Sequence, residues 1–256
     1  MKAAESMRQD WDERARVDAF HYIASWREDW TEESFFQSGE KDYEAMVAPL
    51  LARSCWQPTG KTMLELGCGA GRMTKAFAAR FGHVVALDIS TEMLARAKAL
   101  LPEASNIAWK LGNGSDLSEI PDQSVDFAFS YIVLQHMPTR ELTLTYIREM
   151  LRVLKEGGVF LFQYNGLERP TMNWKGRLVW GAVDVFWSSG LIRASRFLAS
   201  LFGLDPALAG KSWRGAALDV TTVHKAVQAG GGIEEVTGEG TPMAWCSGTK
   251  RRAQDR

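Results

Sequence analysis

The sequence predicts an α/β protein built on a doubly wound, parallel sheet. Short runs that are almost entirely apolar are typical of strands covered on both faces, and they alternate with segments whose apolar residues recur at helical spacing. A glycine-rich turn, Gly67 to Gly71, follows the first of these runs, and Asp88 ends the second. Strands that alternate with helices in this way form parallel sheets, so we expect parallel order in this half of the chain.

The individual elements follow from the same patterns. Strands are predicted at residues 63–66, 83–88, 107–111, 125–131 and 159–164, with helices at 73–81, 91–101 and 139–155. Ser90 or Thr91 is expected to cap the second of these helices, and Gly157 and Gly158 are expected to end the third. A last helix at 222–229 and two short strands, at 233–236 and 243–247, complete the pattern.

The regions outside this core are predicted to be helical. Residues 11–26 form an amphipathic helix, residues 34–39 break the pattern, and a second helix at 42–54 is kinked or divided by Pro49. We therefore expect one domain over 1–256. It comprises an N-terminal helical cover (1–55), the core (56–165), a helical insertion after the fifth strand (166–215), and the last helix and strands (216–256).

Composition excludes several classes of protein. The net charge of −1 leaves no electrostatic footprint for nucleic acid. The three cysteines are widely spaced, which favours a reducing cytoplasm over a disulfide framework, and the histidines show no metal-ligand pairing. The first ten residues are polar and unlike a signal peptide, and no apolar run approaches the ~20 residues of a membrane span.

The glycine turn carries the first functional signal. It reads Glu65-Leu66-Gly67-Cys68-Gly69-Ala70-Gly71, so its third glycine comes one residue earlier than in a dinucleotide fingerprint. This turn resembles motif I of the class I S-adenosylmethionine (SAM) methyltransferases. The leading acid makes chemical sense, because SAM brings an ammonium group and a sulfonium that a carboxylate attracts. Glu65, Gly67, Cys68, Gly69 and Gly71 are accordingly expected to bind SAM.

Further blocks extend the resemblance over about residues 56–165. It implies that Asp88 accepts hydrogen bonds from the ribose, that Ile89 packs on the adenine, and that Asn113, beside Gly114, meets the adenine amino group. The family usually has Asp at the position of Asn113. Segments 124–130, 134–138 and 148–158 match in order, and the end of the fourth strand adds Ser130 and Tyr131 to the predicted cofactor site. The resemblance implies a Rossmann-like, mostly parallel sheet of seven strands.

His136 is the candidate catalytic residue. It follows the fourth strand, on the edge where the methyl group of SAM is expected, and a neutral imidazole suits the deprotonation of a hydroxyl near pH 7. A histidine in this loop is also common across the family whatever the substrate. Its packing against the helix at 139–155 is therefore the alternative interpretation.

The acceptor site is predicted in the aromatic additions. Eight of the ten tryptophans lie before the glycine turn or between residues 165 and 215. Tyr22, Trp174, Trp180 and Trp187 are expected to contact the acceptor. Residues 176–204 are interpreted as a lid over the site, with a membrane-surface helix as the less favoured alternative.

Together these features predict a SAM-dependent methyltransferase that acts on a small, partly apolar acceptor, with O-methylation favoured. Two alternatives stay open. One is a SAM-binding sensor or scaffold without turnover, and the other is methylation of a macromolecule. No metal site is predicted, and the sequence leaves the oligomeric state open.

Overall fold

The structure is a computed structural model that describes residues 2–166, 178–179, 181–182, 185, 192–202, 215–232 and 235–252. The strands of this part are β1 (Thr62–Leu66), β2 (His83–Asp88), β3 (Ile107–Leu111), β4 (Val125–Ser130), β5 (Leu154–Tyr164), β6 (Glu235–Thr237) and β7 (Ala244–Thr249). They form one seven-stranded sheet in the order β3-β2-β1-β4-β5-β7-β6. Strands β1 to β5 are parallel, and β7 runs antiparallel to both of its neighbours. The predicted fold class is confirmed.

The helices flank this sheet. They are α1 (Lys2–Ile23), α2 (Glu32–Asp42), α3 (Ala48–Arg53), α4 (Thr74–Ala78), α5 (Thr91–Leu100), α6 (Arg140–Val153), α7 (Ile192–Leu201) and α8 (Val220–Gln228). Side chains cap several of them, and the cap at Ser90 is the one that the sequence predicts. Ser90 accepts a hydrogen bond from the backbone N–H of Met93 at the start of α5. None of the described helices combines the length and the apolar character that a membrane crossing requires.

The sheet has a core on each face. Alternate residues of β1 point to opposite sides, so Leu64 packs in one buried cluster with Ile147 of α6, and Met63 packs in the other with Phe77 of α4. Both faces are therefore apolar, which explains why the strands read as nearly continuous apolar runs.

The strand order indicates which edge of the sheet is expected to bind a ligand. Leu66, the last residue of β1, pairs with Leu87 of β2 on one side and with Ser130 of β4 on the other. The chain thus continues outward in opposite directions from β1, and the crevice at the carboxyl ends of these strands is where open α/β sheets bind ligands.

The predicted break at residues 34–39 is wrong, because this segment lies inside α2. Thr31 and Ser34 form a capping box, in which each side chain accepts a hydrogen bond from the backbone N–H of the other. Gly39 is buried within the helix, and a Cβ atom built on it would lie 2.0 Å from the carbonyl oxygen of Arg72. The glycine therefore lets α2 pack directly on the glycine turn.

The second predicted helix, at residues 42–54, is divided. Tyr43–Val47 is a π-helical turn that leads into α3, and Pro49 lies in the first turn of α3, where no backbone N–H is needed. Pro49 thus marks a division, as one of the two expectations had it.

Gly157 and Gly158 were expected to end a helix, and this expectation is wrong. Helix α6 ends at Val153, and both glycines lie inside β5. The pairing of β4 with β5 shifts between Val125 and Phe127, so a bulge absorbs the extra residues. Gly157 adopts a φ of +74°, which explains its presence at an irregular point of a strand.

The close approach of α2 to the glycine turn predicts whether a substitution of Gly39 stabilises or destabilises the protein. Replacing a glycine inside a helix by alanine ordinarily stabilises it by about 1 kcal/mol. We expect Gly39→Ala to destabilise the protein instead, by roughly 1–3 kcal/mol, because the new methyl group overlaps the Arg72 carbonyl. Urea unfolding measures the change, with Gln37→Ala on the exposed side of the same helix as the control. A stabilised Gly39→Ala variant would contradict this packing.

Candidate functional site

A single pocket occupies the carboxyl edge of the sheet, between the glycine turn, the end of β2, the segment after β4 and helix α1. It brings together most of the predicted site residues. These are Tyr22, Glu65, Gly67, Cys68, Gly69, Asp88, Ile89, Tyr131 and His136. Residues that are more than 100 positions apart in the sequence therefore meet in one cavity.

The glycine turn forms the floor of this pocket. Gly67 and Gly69 both have positive φ angles, of 79° and 53°. A Cβ atom on Gly67 would lie 2.1 Å from a methyl carbon of Val133, and one on Gly69 would lie 2.8 Å from Cδ1 of Ile23. Both positions therefore need glycine for backbone conformation and for space.

Asp88 connects the turn to β2. One oxygen of its carboxylate accepts a hydrogen bond from the backbone N–H of Gly69 at 2.8 Å, and the other accepts from the N–H of Ser90 at 2.9 Å. Burial raises the pKa of this carboxyl to about 6, although these backbone donors act in the opposite direction. Each oxygen retains a lone pair for a hydroxyl donor from the pocket.

Glu65 is the second buried acid, and its side chain is held by α4. Its carboxylate accepts a hydrogen bond of 2.6 Å from the hydroxyl of Thr74, and the residue is only 4% exposed. Burial raises the pKa of this carboxyl to about 8, while the Thr74 hydroxyl and the charge of Arg72 lower it. A buried carboxyl with a pKa near 8 favours a cationic ligand, because the positive charge of the ligand would stabilise the ionised carboxylate.

Cys68 lies between these acids, and it is a thiol rather than a thiolate. Burial raises the pKa of its sulfhydryl well above the ordinary value, and the charges of Asp88 and Glu65 act in the same direction. The side chain is therefore a small apolar wall of the pocket.

Helix α1, part of the expected N-terminal cover, lines the pocket, and the hydrogen bonds that hold it there were not predicted from the sequence. Arg8 donates a hydrogen bond to the carbonyl oxygen of Gly112, after β3. Asp12 accepts hydrogen bonds from the Ser90 hydroxyl at 2.6 Å and from the backbone N–H of Glu92. These bonds join residues about 80 to 100 positions apart, and only the folded chain brings them together. Met7, Trp11 and Ile23 of α1 line the cavity as a result.

Arg72 is a further pocket residue that the sequence did not single out. It is only 4% exposed and forms an ion pair of 2.6 Å with Asp42. Its guanidinium lies between the rings of Trp26 and Tyr131, at 5.4 and 5.6 Å from their centroids. Because Tyr131 borders both the pocket and a groove beyond it, which Trp26 and Asp42 also line, the two cavities are neighbours. We call this second cavity the Trp26 groove.

Four predicted cofactor residues do not line the pocket. The hydroxyl of Ser130 donates to the carbonyl oxygen of Leu66, so this buried side chain links β4 to β1. Gly71 and Gly114 have positive φ angles and support the surrounding backbone. Asn113 is exposed, and its amide oxygen accepts hydrogen bonds from the backbone N–H groups of Ser115 and Asp116.

That local turn is a competing role for Asn113. An amide oxygen engaged by two backbone donors is directed into its own loop, because short polar side chains readily cap such turns. The neighbouring Gly112 lines the pocket in its place. Contact between Asn113 and adenine therefore stays a prediction that this geometry does not support.

Trp174, Trp180 and Trp187 lie outside the described residues. Their expected contact with an acceptor stays a prediction. Within the predicted insertion, α7 is the longest described element.

Part of the core is similar to known methyltransferases. A family profile described as a methyltransferase domain matches residues 64–162. The probable methyltransferase LtbC of Aspergillus luteorubrus is 37% identical over 106 residues, which cover 38% of this chain and 37% of that protein. The solved structure of magnesium protoporphyrin IX methyltransferase from Synechocystis, with bound S-adenosylhomocysteine, superposes with a TM-score of 0.60 at 16% identity. It covers 98% of this chain and 100% of that one.

Residues 64–162 are thus similar to methyltransferase domains, and the fold is that of a solved methyltransferase. The 2-methyl-6-phytyl-1,4-hydroquinone methyltransferase of Synechocystis is a further relative, 32% identical over 105 residues that cover 41% of this chain and 32% of that protein. The chain spans about a third of the length of these two curated relatives. The segment that the family profile matches, residues 64–162, contains the glycine turn that forms the floor of the pocket.

The buried acid Glu65 gives a prediction on stability. In the folded state the pKa of Glu65 is about 8, above the ordinary value of 4.5 for a glutamate. The folded state therefore binds this proton more tightly than the unfolded state. The stability that comes from the protonated Glu65 is fully present below pH ~4.5, and it is lost as the pH rises through about 8.

We expect Glu65→Gln to remove most of this loss, since a glutamine keeps the size of the side chain and an oxygen for Thr74. Without added ligand, the variant should be more stable than the wild type by roughly 1–4 kcal/mol near pH 8, and the difference should shrink toward pH 5. Urea unfolding across this range measures it, with the exposed Glu33→Gln as the control. A variant less stable than the wild type at pH 8 would contradict the burial of an uncompensated charge.

Proposed function

We propose that this protein transfers the methyl group of SAM to a small, partly apolar acceptor, with oxygen as the favoured acceptor atom. One observation carries the proposal. Two buried carboxylates, of Glu65 and Asp88, lie in one otherwise largely apolar pocket at the switch point of the sheet. This combination suits a ligand that has a cationic end, hydroxyl groups and an aromatic ring.

The side chains of the pocket fit SAM by their chemistry. Glu65, with its raised pKa, offers a partner for the ammonium group of the methionine part. Asp88 offers acceptor oxygens for the ribose hydroxyls, and Ile89 and Met93 offer apolar surface for the adenine. Arg72 lies buried in the same cavity, and its guanidinium, which pairs with Asp42, has further N–H donors that suit a carboxylate.

When bound, SAM would supply a methyl group activated by its sulfonium. The protein's contribution would then be alignment of the acceptor and exclusion of water. Helix α1 closes the pocket, and its hydrogen bonds to Gly112, Ser90 and Glu92 hold it there. His136 lines the cavity, as its predicted catalytic role requires, and that role stays a prediction.

The acceptor would enter beside Tyr131, through the Trp26 groove. Trp26 is 57% exposed, although exposed tryptophan is unusual in soluble proteins. Its ring, that of Trp30 and the ammonium of Lys41 border the groove. Aromatic walls with a cation at the rim suit a planar acceptor that carries a polar or anionic group. The predicted contact of Tyr22 with the acceptor is consistent with its place in the adjoining pocket.

The assignment of Asp88 to the ribose predicts a pH dependence of binding. Its pKa in the free protein is about 6, and hydroxyl donors favour the ionised form. The affinity for 5′-methylthioadenosine, which keeps the adenosine but has no ammonium group, should fall about tenfold per unit as the pH drops below ~6. Calorimetry measures this, with Asp88→Asn as the matched variant. That variant should bind more weakly and lack the dependence, and an equal slope in both proteins would refute the assignment.

The function itself is tested by transfer of an isotopically labelled methyl group. Purified protein, labelled SAM and an extract of small metabolites are incubated, and mass spectrometry detects the labelled product. Gly69→Val is the control without a cofactor site, because its side chain would clash with Ile23. We expect a labelled small molecule with the wild type and none with the control. Trp26→Ala should raise the KM for that product's precursor while leaving SAM affinity within about threefold.

Other outcomes would replace the proposal. Label in protein or nucleic acid would indicate a macromolecular acceptor. SAM binding with no transfer to any fraction would favour a sensor or scaffold.

A further inference from the structure

A chain of amide side chains connects β5 to His136. It begins at Gln163, which is fully buried. Its Oε1 accepts a hydrogen bond from the backbone N–H of Ile132 at 3.1 Å, and its Nε2 donates to the carbonyl oxygen of Pro242 at 2.9 Å. A backbone N–H only donates and a carbonyl only accepts, so the backbone determines which end of this amide carries the oxygen.

The orientation of Gln163 then determines that of Gln135. Nε2 of Gln163 lies 2.6 Å from Oε1 of Gln135 and donates to it. The amide nitrogen of Gln135 must therefore be its other end, and this atom lies 3.1 Å from Nε2 of His136. An amide NH₂ group donates and does not accept, so Nε2 of His136 is the acceptor of this bond. We call Gln163 and Gln135 the amide relay.

We infer that the amide relay holds His136 as the neutral tautomer with its proton on Nδ1. An uncharged imidazole that accepts at Nε2 carries its hydrogen on the other nitrogen. An imidazolium would direct an N–H at the NH₂ group of Gln135, and these two donors repel each other. While the relay is intact, neither ring nitrogen is open to take up a proton. Gln163 and Gln135 are thus positioning residues.

The relay also supports the loop after β4. Ile132 has a φ of +56°, a left-handed conformation that costs a β-branched residue about 1–2 kcal/mol. Its N–H is the group that Gln163 accepts from, and the next residue, Val133, lies over Gly67 of the glycine turn. One buried glutamine therefore fixes the backbone of this loop and the hydrogen-bonding state of its histidine together.

A consequence for the acceptor rests on the proposed function. If His136 does not remove a proton, an acceptor oxygen that binds already ionised, such as a carboxylate or an acidic phenol, meets the requirement. Its lone pair forms the new bond to the methyl carbon, the bond from carbon to sulfur breaks with its electron pair left on sulfur, and no proton has to move. The inferred role of His136 is then a fixed hydrogen-bond donor rather than a base.

Nitrogen NMR of the imidazole rings tests the inference on the full chain without cofactor or acceptor. Long-range proton–nitrogen correlation of protein labelled at histidine distinguishes the tautomers, and the His136→Gln variant identifies the signals of His136. In the wild type near pH 7.5 we expect a protonated Nδ1 and an unprotonated Nε2. A protonated Nε2, or a mixture of the two tautomers, would overturn the inference.

The Gln135→Glu variant provides the matched change. Its carboxylate keeps the size of the side chain and still accepts from Gln163, but it presents an oxygen to the ring. Nε2 of His136 should therefore become protonated, while the signals of His21, His83 and His224 stay unchanged. An unchanged His136 in this folded variant would also overturn the inference. Because the readout needs no turnover, its failure is separate from a failure to detect methyl transfer.

Discussion

The hydrogen bond between the Asp88 carboxylate and the backbone N–H of Gly69 joins the glycine turn to the end of β2. The carbonyl oxygen of Leu87 reinforces this connection, because it accepts from the N–H groups of both Gly67 and Cys68. The floor of the pocket is therefore a backbone surface held by groups of the neighbouring strand. Without this connection neither the positive φ angles of the turn nor the direction of its donors would be maintained.

The carboxyl edge of the sheet also buries two acidic side chains, which costs electrostatic free energy. Glu65 and Asp88 are both buried, burial raises the pKa of each, and each charge disfavours ionisation of groups nearby. An apolar residue at position 65 would avoid the cost of burying a carboxylate. The presence of an acid there is therefore consistent with the binding of a cationic ligand. Local rules of stability are commonly violated at functional sites in this way, and the remaining structure compensates. The extensive cores on both faces of the sheet provide that compensation.

Two different structures enclose this floor. Helix α1 crosses the edge of the sheet and is held by polar contacts to the segments after β2 and β3. The loop after β4 is held instead from inside the sheet, by the buried amide of Gln163. Arg72 lies where they meet α2, paired with Asp42 and flanked by aromatic rings. The described residues that line the pocket thus come from segments between Met7 and Tyr146.

The sequence by itself determined the elements whose causes are local. The parallel strands, the cap at Ser90, the glycine turn and the position of Asp88 are recorded in periodicity, in capping residues and in backbone conformations that only glycine adopts freely. These local signals sufficed for the parallel α/β fold, and the resemblance of the glycine turn and the later blocks to a known family added the roles expected of the pocket residues.

The tertiary structure decided the features whose causes lie far apart in the sequence. Position 39 is glycine, although it lies inside a helix, because the carbonyl group of the distant Arg72 leaves no room for a side chain, and Arg72 can lie buried at the pocket because it forms an ion pair with Asp42. The state of His136, in the loop after β4, depends on Gln163 of β5. Sequence patterns record which residues can occupy an element. They do not record which partners meet across it, because those contacts exist only once the sheet brings together the ends of strands that are many residues apart.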